Sequence, residues 1–196
     1  MKLPIIPMEP GANSQPFSDV HYAFEVEMGG LRTIAYVANG EVKLEHKGSD
    51  VAGKYLQITA AFQRFKFSAI LDGEIVALND DGIFDPVATR RWRSDDDGPL
   101  YYYAYDLLLR QGDDYMKEPL YVRKSVLKGL LPPSPVIRYH DEIVTHGEAL
   151  FRWAASKGLG VIAKRIDSIY RPGRSKDWVR IPVRSITGKQ IKKGPF

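Results

Sequence analysis

Read for hydrophobic and polar positions alone, the chain alternates from Tyr22 onward. Tyr22–Glu27 and Leu31–Ala38 show the period of two expected of strands, with Gly29-Gly30 as a turn between them. Asn39-Gly40 then leads into Glu41–Glu45, and Asn-Gly between two alternating runs predicts a tight hairpin. Leu56, Ile58, Ala61, Phe62 and Phe65 recur at helical spacing within Lys54–Phe67. Ala69–Leu78 reads as an apolar strand broken only by Asp72-Gly73-Glu74, and Leu100–Leu109 as a tyrosine-rich one. A polar loop with Arg90, Arg91, Arg93 and Asp95-Asp96-Asp97 is predicted between them. Helices are predicted at Val122–Leu131, stopped by Pro132-Pro133, and at Thr145–Lys157, ended by Gly158. Thr145 and Glu148 have the spacing of a capping box. Gly160–Ile166 and Asp177–Ile181 complete the strands. Residues 1–17 hold four prolines and no periodicity, which predicts an arm laid over the body rather than an element. Neither a repeat nor a heptad is present, and the class is α+β, mostly antiparallel.

Composition narrows this little but usefully. A chain of 196 residues, 44% apolar and 27% charged, fits one globular domain, or one with a small appendage. Zero cysteines exclude a disulfide framework, a thiolate metal site and a cysteine nucleophile. The four histidines show no HxxxH or HExxH spacing. No run approaches the ~20 apolar residues of a membrane span, so a cytoplasmic protein with no membrane partner is expected. Charge is uneven: residues 164–196 carry ten Lys or Arg and two acids, whereas the preceding 163 carry 18 basic and 22 acidic side chains. A basic C-terminal third on an acidic body reads either as a footprint for phosphates or as a solvated face.

Three polar insertions stand out. Asp72-Gly73-Glu74 puts carboxylates in a buried-looking strand, where they need partners or a cleft, unless Gly73 simply marks a bulge. Ala163-Lys164-Arg165 sets adjacent cations at the end of an apolar stem, so one of them points inward toward an anion or the strand merely ends there. Glu25 and Glu27 share a strand face just before the Gly29-Gly30 turn and Arg32, either as a site or as a charged edge.

Taken in order, these features resemble the nucleotidyltransferase motifs of ATP-dependent DNA ligases, and most of all those of bacterial non-homologous end joining. The first motif, K-x-D-G-x-R, corresponds to Glu27-Met28-Gly29-Gly30-Leu31-Arg32. D-G-E is intact at Asp72-Gly73-Glu74, and the aromatic-Asp-Leu-Leu motif is Tyr105-Asp106-Leu107-Leu108. E-G-V-V-A-K-R appears as Leu159–Arg165, and D-W-L-K-I-K as Asp177-Trp178-Val179-Arg180-Ile181-Pro182. The resemblance implies the ligase and capping-enzyme fold, ATP-grasp-like, with two mainly antiparallel sheets and helices packed between and around them. It also implies ATP and divalent Mg or Mn as cofactors, a lysyl-adenylate intermediate, and transfer of AMP to a 5′-phosphate at a DNA nick. It sets Glu25 at the position contacting the adenine amine. Gly30, Arg32, Glu74, Tyr105, Lys164 and Arg180 match positions that hold ribose, base or phosphate.

The departures fall on the chemistry. The nucleophile position is Glu27, and a carboxylate cannot form a phosphoramidate. It also reverses the local sign: one unit-charge interaction at ~4 Å and an effective dielectric of 20 is on the order of 4 kcal/mol. The motif-one acid is Gly29, the motif-four acid is Leu159, and the second lysine of the last motif is Pro182, so divalent metal is expected not to be retained. Lys43 and Lys47 are the nearby lysines that would have to substitute. The expected organisation is an arm (1–17), a nucleotidyltransferase domain (18–184) and a basic tail (185–196), with no oligonucleotide-binding domain. The leading expectation is a catalytically inactive ligase-like module of DNA repair, recombination or end joining. It would bind ATP weakly, DNA-repair proteins, and DNA through Arg171, Arg174, Lys176, Arg184, Lys189, Lys192 and Lys193. The alternatives are an active adenylating enzyme with a non-standard nucleophile or partner-supplied residues, and an interaction scaffold with a vestigial pocket.

Overall fold

A computed structural model describes residues 5–183. Its strands form two sheets. Sheet A joins β1 (Met8–Asn13), β2 (Tyr22–Val26), β10 (Ile143–Val144), β11 (Val161–Arg165) and β12 (Gly173–Ile181) in the order β1-β12-β11-β2-β10. Sheet B is built on β3 (Leu31–Ala38), β4 (Glu41–His46), β5 (Ser49–Asp50), β6 (Ala69–Ala77), β7 (Leu100–Arg110) and β8 (Asp113–Asp114), ordered β5-β4-β3-β6-β7-β8, and β9 (Ile137–Tyr139) pairs with β7. Among the described residues, only β1·β12 and β7·β9 are parallel. The α+β class is as the sequence pattern predicts, and the two mainly antiparallel sheets are as the resemblance implies.

The helices are α1 (Leu56–Gln63), α2 (Pro86–Arg91), α3 (Leu120–Leu130) and α4 (Gly147–Ser156). Period-two alternation distributes the strands' side chains over three apolar clusters. Leu71 and Ile75 of β6 and Tyr102 of β7 face outward from sheet B and pack with Ile58 and Phe62 of α1 and Leu127 of α3. Ile34, Ile70, Val76 and Leu108 face inward and meet Trp178 and Met8 of sheet A. Phe24, Val161 and Ile181 line the outer face of sheet A and pack with Ala154 of α4. The inward face of each sheet is therefore where polar residues of the same parity must meet.

Local chemistry explains most elements. Asn39 and Gly40 both have positive φ (52° and 85°), as a two-residue hairpin with Ala38 opposite Glu41 requires. Gly29-Gly30, by contrast, passes the chain from sheet A to sheet B, so β2 and β3 do not pair. Gly73 sits where β6 and β7 shift register; an added Cβ would lie 2.3 Å from the Tyr103 carbonyl oxygen and 2.6 Å from the Tyr102 ring.

Three expectations are corrected. Residues 8–13 are not an arm over the body but β1, an edge strand in register with β12 (Met8 opposite Gly173). Prolines are tolerated there because an edge strand leaves alternate N–H groups unpaired. The segment Pro86–Arg91 is a helix, begun by the Asp85 carboxylate accepting from Val87 and Ala88 N–H with Pro86 at the first turn, and Asp95–Asp97 forms one 3₁₀ turn. The fourth helix begins at Gly147, and Thr145 does not cap it: Thr145 has φ 76°. The cap comes from far away in sequence, because Glu148 N–H donates to Ser18 Oγ at 3.2 Å and that hydroxyl donates back to the Glu148 carboxylate at 3.3 Å.

Candidate functional site

The inward faces of the two sheets enclose a cavity of about 300 Å³. Sheet B supplies Arg32, Glu74 and Tyr105, on three adjacent strands; sheet A supplies Glu25, Ile162, Lys164, Trp178 and Arg180. Glu27, just beyond β2, and His140, just beyond β9, complete it. Alternation accounts for the gathering: Asp72 and Glu74 share a face of β6, and Ile162 and Lys164 share a face of β11. Antiparallel register then sets Arg32 opposite Glu74, Ile162 opposite Glu25, and Lys164 opposite Trp178.

Among the described residues, each cation facing the cavity already holds a carboxylate. Arg32 forms a two-pronged pair with the fully buried Asp72, its Nε 2.7 Å from Oδ1. The Tyr170 hydroxyl also donates to Asp72 (2.6 Å) and accepts from Met8 N–H (2.8 Å), while Arg32 donates to the Met8 carbonyl. The strand β1 is thus part of the support for Arg32. Lys164 is buried, 2.6 Å from Glu25 Oε2, with its ammonium 4.1 Å from the centres of both the Tyr105 and Trp178 rings. Arg180 pairs with Glu27 at 2.8 Å. Gly160, whose added Cβ would fall 2.5 Å from the Glu27 carboxylate, leaves room for that side chain against β11.

Glu25 is the electrostatic hub. Besides Lys164 it accepts from the buried Lys124 of α3 at 2.6 Å, and Lys124 is shared with Glu142 at 2.9 Å. Burial works to raise the Glu25 pKa, but the two ammonium groups overcome it and hold the carboxyl at about 2. Burial pulls Lys164 below the ordinary lysine value despite Glu25, whereas Glu25 and Glu142 hold Lys124 above it against the same cost. Burial depresses His140 to about 4, and its Nε2–H donates to the Val26 carbonyl at 3.0 Å. Burial raises Glu74 despite Arg32 and the Gly30 N–H that donates to it at 2.8 Å.

The structure brings together Glu25, Glu27, Arg32, Glu74, Tyr105, Lys164 and Arg180 around one cavity. It does not bring Gly30 to the cavity wall; Gly30 packs against β6, where a Cβ would fall 2.5 Å from the Ile75 carbonyl oxygen. Tyr105 is 4% exposed, with cations already over its ring. Lys43 pairs with Glu45 and lies over Tyr36, and neither it nor Lys47 lines the cavity. Arg171 pairs with Asp177, and Arg174 and Lys176 are exposed on β12; Arg184, Lys189, Lys192 and Lys193 lie outside the described residues. Sequence reading missed Lys124, His140 and Trp178 as site residues. Trp178 stood in a quoted motif, but nothing local marks Lys124, which reaches Glu25 across 99 residues of sequence.

Two sheets closing on a polar cavity through these ordered motifs define a nucleotidyltransferase domain of the ligase type. The chain belongs to the ATP-dependent DNA ligase domain family, whose pattern it matches over residues 15–181. It is 29% identical over 165 residues to the multifunctional non-homologous end joining protein LigD of Mycolicibacterium smegmatis, covering 81% of this chain and 21% of that protein. It is 25% identical over 182 residues to the SPbeta prophage-derived DNA ligase-like protein LigB of Bacillus subtilis, covering 90% and 67%. A mycobacterial DNA ligase D solved with ATP and MES superposes with a TM-score of 0.78 at 26% identity, over 91% of this chain and 60% of that one. The chain therefore spans about a fifth of the length of the LigD relative and three fifths of the solved ligase chain. Among the described residues, no helix is long and apolar enough to cross a membrane.

The cofactors the family implies fit unequally. The inner end of the cavity suits a flat, amine-bearing ring: an ionised Glu25 can accept, and Val26, Met28 and Ile162 give apolar walls. The end where Glu27 and Arg180 meet solvent does not suit a triphosphate, because the one cation there among the described residues is taken and an anion stands beside it. Among the described residues, no group of three or more His, Asp or Glu side chains is placed to hold a metal ion.

Proposed function

We propose that this domain is a ligase-like module that does not form a lysyl-adenylate and serves DNA repair or end joining by binding rather than by catalysis. The observation carrying this reading is the side chain at the nucleophile position: Glu27 is a carboxylate, and it is engaged with Arg180, a cation of the last motif. Nucleophilic catalysis needs an activated amine next to the α-phosphate. The lysine at the cavity wall, Lys164, is committed to Glu25 and enclosed by two rings. The cavity retains Glu25, Arg32, Glu74, Tyr105 and Lys164 as nucleotide contacts, with no divalent ion required. DNA is the proposed macromolecular ligand, met by Arg171, just before β12, by Arg174 and Lys176 of β12 and by the basic residues after them. DNA-repair proteins are the proposed partners, and the cytoplasm the proposed location.

The test is incubation of the protein with ATP labelled at the α-phosphate, in magnesium or manganese, followed by denaturing electrophoresis. No covalent label is expected, and none from Glu27→Lys at the level of an active ligase, since Leu159 and Pro182 still depart from the motifs. Robust nick sealing by Glu27→Lys, or labelling of the unaltered chain, overturns the reading. Binding to nicked duplex that weakens steeply with salt supports the DNA component.

A further inference from the structure

We infer that the cavity is selective for an uncharged nucleoside over its phosphorylated forms, the reverse of what a triphosphate-using site requires. The inference rests on the nucleotide-pocket reading above and assigns it a ligand class. It follows from a count of charges that face the cavity and from what each is doing. The three cations on the wall, Arg32, Lys164 and Arg180, are each paired with a carboxylate of the chain at 2.6–2.8 Å. Two further acids, Glu9 and Glu74, line the cavity and have no ammonium or guanidinium ion pair among the described residues. Among the described residues, a phosphate chain entering here meets no unpaired cation and several anions.

The pairs differ in how they respond. Asp72 behind Arg32, and Glu25 behind Lys164, are buried and cannot swing away without leaving an uncompensated charge. Glu27 and Arg180 are 24% and 49% exposed, so that pair is easily opened. Opening it does not help a triphosphate, because the Glu27 main chain stays fixed beside β11 by its N–H bond to the Gly160 carbonyl at 2.9 Å, so the freed carboxylate remains at the mouth of the cavity. The repulsion is thus built into the residue rather than into the pair. The inner end makes no such demand. The Glu25 carboxylate, acceptor-only and ionised, uses one oxygen for each lysine and keeps lone pairs for an N–H donor of the ligand. A nucleoside meets both conditions: an amine-bearing ring for the inner end, and a neutral, hydroxylated sugar toward Glu27 and Arg180.

Calorimetric titration of adenosine, AMP and ATP into the full chain, in the presence of a metal chelator, tests this. Adenosine is expected to bind at least tenfold more tightly than ATP, with AMP between. Glu27→Gln removes the charge while keeping the shape and frees Arg180. It is expected to raise ATP affinity relative to adenosine at least threefold. A melting curve on Glu27→Gln establishes that it is folded, and Glu27→Ala repeats the comparison without the amide. ATP binding the unaltered chain as tightly as adenosine, or an adenosine-to-ATP ratio unmoved in both variants, overturns the inference while leaving the nucleotide pocket standing. No heat with any of the three ligands overturns the pocket reading itself, and this inference with it.

Discussion

Glu27 and Arg180 form an ion pair at 2.8 Å between the end of β2 and the strand β12, where the cavity meets solvent. It joins the position expected of the nucleophile to one expected to hold phosphate, and each now satisfies the other. Deeper in the same cavity Glu25 is clasped by two lysines from different elements, Lys164 of β11 and Lys124 of α3. The two arrangements look alike on paper but differ in burial, and their energetic consequences diverge.

The outer pair is partly exposed, and pairs of that kind contribute about 0–1 kcal/mol. Arg180→Gln is therefore expected to change unfolding free energy by less than about 1 kcal/mol in urea denaturation. A larger loss would mean that the pair supports the fold.

Lys124 is 3% exposed and cannot be removed so cheaply. Lys124→Met leaves Glu142 and half of the Glu25 carboxylate without a cation, and truncating one partner of a buried ion pair costs roughly 3–5 kcal/mol. The same urea series is expected to show a loss in that range, several times that of Arg180→Gln.

Gly73 is required by close approach rather than by backbone angle. Gly73→Ala would drive a methyl group into the Tyr103 carbonyl oxygen and the Tyr102 ring, the latter fixed by its hydroxyl donating to the Thr33 carbonyl at 2.9 Å. Overpacking of a site that cannot give is expected to cost about 3 kcal/mol or more, read as a lowered melting temperature.

The long-range cap on α4 separates two residues that sequence alone does not. Ser18→Ala removes the acceptor for the Glu148 N–H and is expected to cost about 1 kcal/mol. Thr145→Ala leaves that bond intact and is expected to stay within about 0.5 kcal/mol. Equal losses in chemical denaturation would refute the assignment.

Stability is expected to fall on acidification well before the carboxylates titrate. The buried His140 is held at about 4, against an ordinary value of 6.5. Burial is the main cause, aided by Lys124 and Lys164 and opposed by Glu25. Between those pH values the unfolded chain binds a proton that the folded one refuses, so stability declines as pH falls from 6.5 to 4. At about 1.4 kcal/mol per unit, the loss is roughly 3 kcal/mol. Glu25, held at about 2, adds a second loss as pH falls below its ordinary 4.5. His140→Gln is expected to flatten the curve above pH 4.5; an unchanged slope there would point to another group.

How much of this was legible beforehand depended on range. The Asn39-Gly40 hairpin, the alternation of β6 and β7 and the end of α4 at Gly158 follow from local rules, since backbone angle and side-chain period are properties of a few adjacent residues. The carboxylates of Asp72-Gly73-Glu74 announced that partners must exist. They did not say which, because Asp72 is satisfied by Arg32 and by Tyr170, 40 and 98 positions away.

The sequence by itself determined the class, the order of the motifs, the anion at position 27 and the absence of cysteine chemistry. Only the tertiary structure decided that Met8–Asn13 is a strand, that Ser18 rather than Thr145 caps α4, and that Lys124 belongs to the cavity. It also decided that each cation on the cavity wall is already paired. The physical reason is the same in each case. A parallel edge strand, a remote cap and a buried ion pair draw their energy from groups distant in sequence, so no local period or propensity carries their signal.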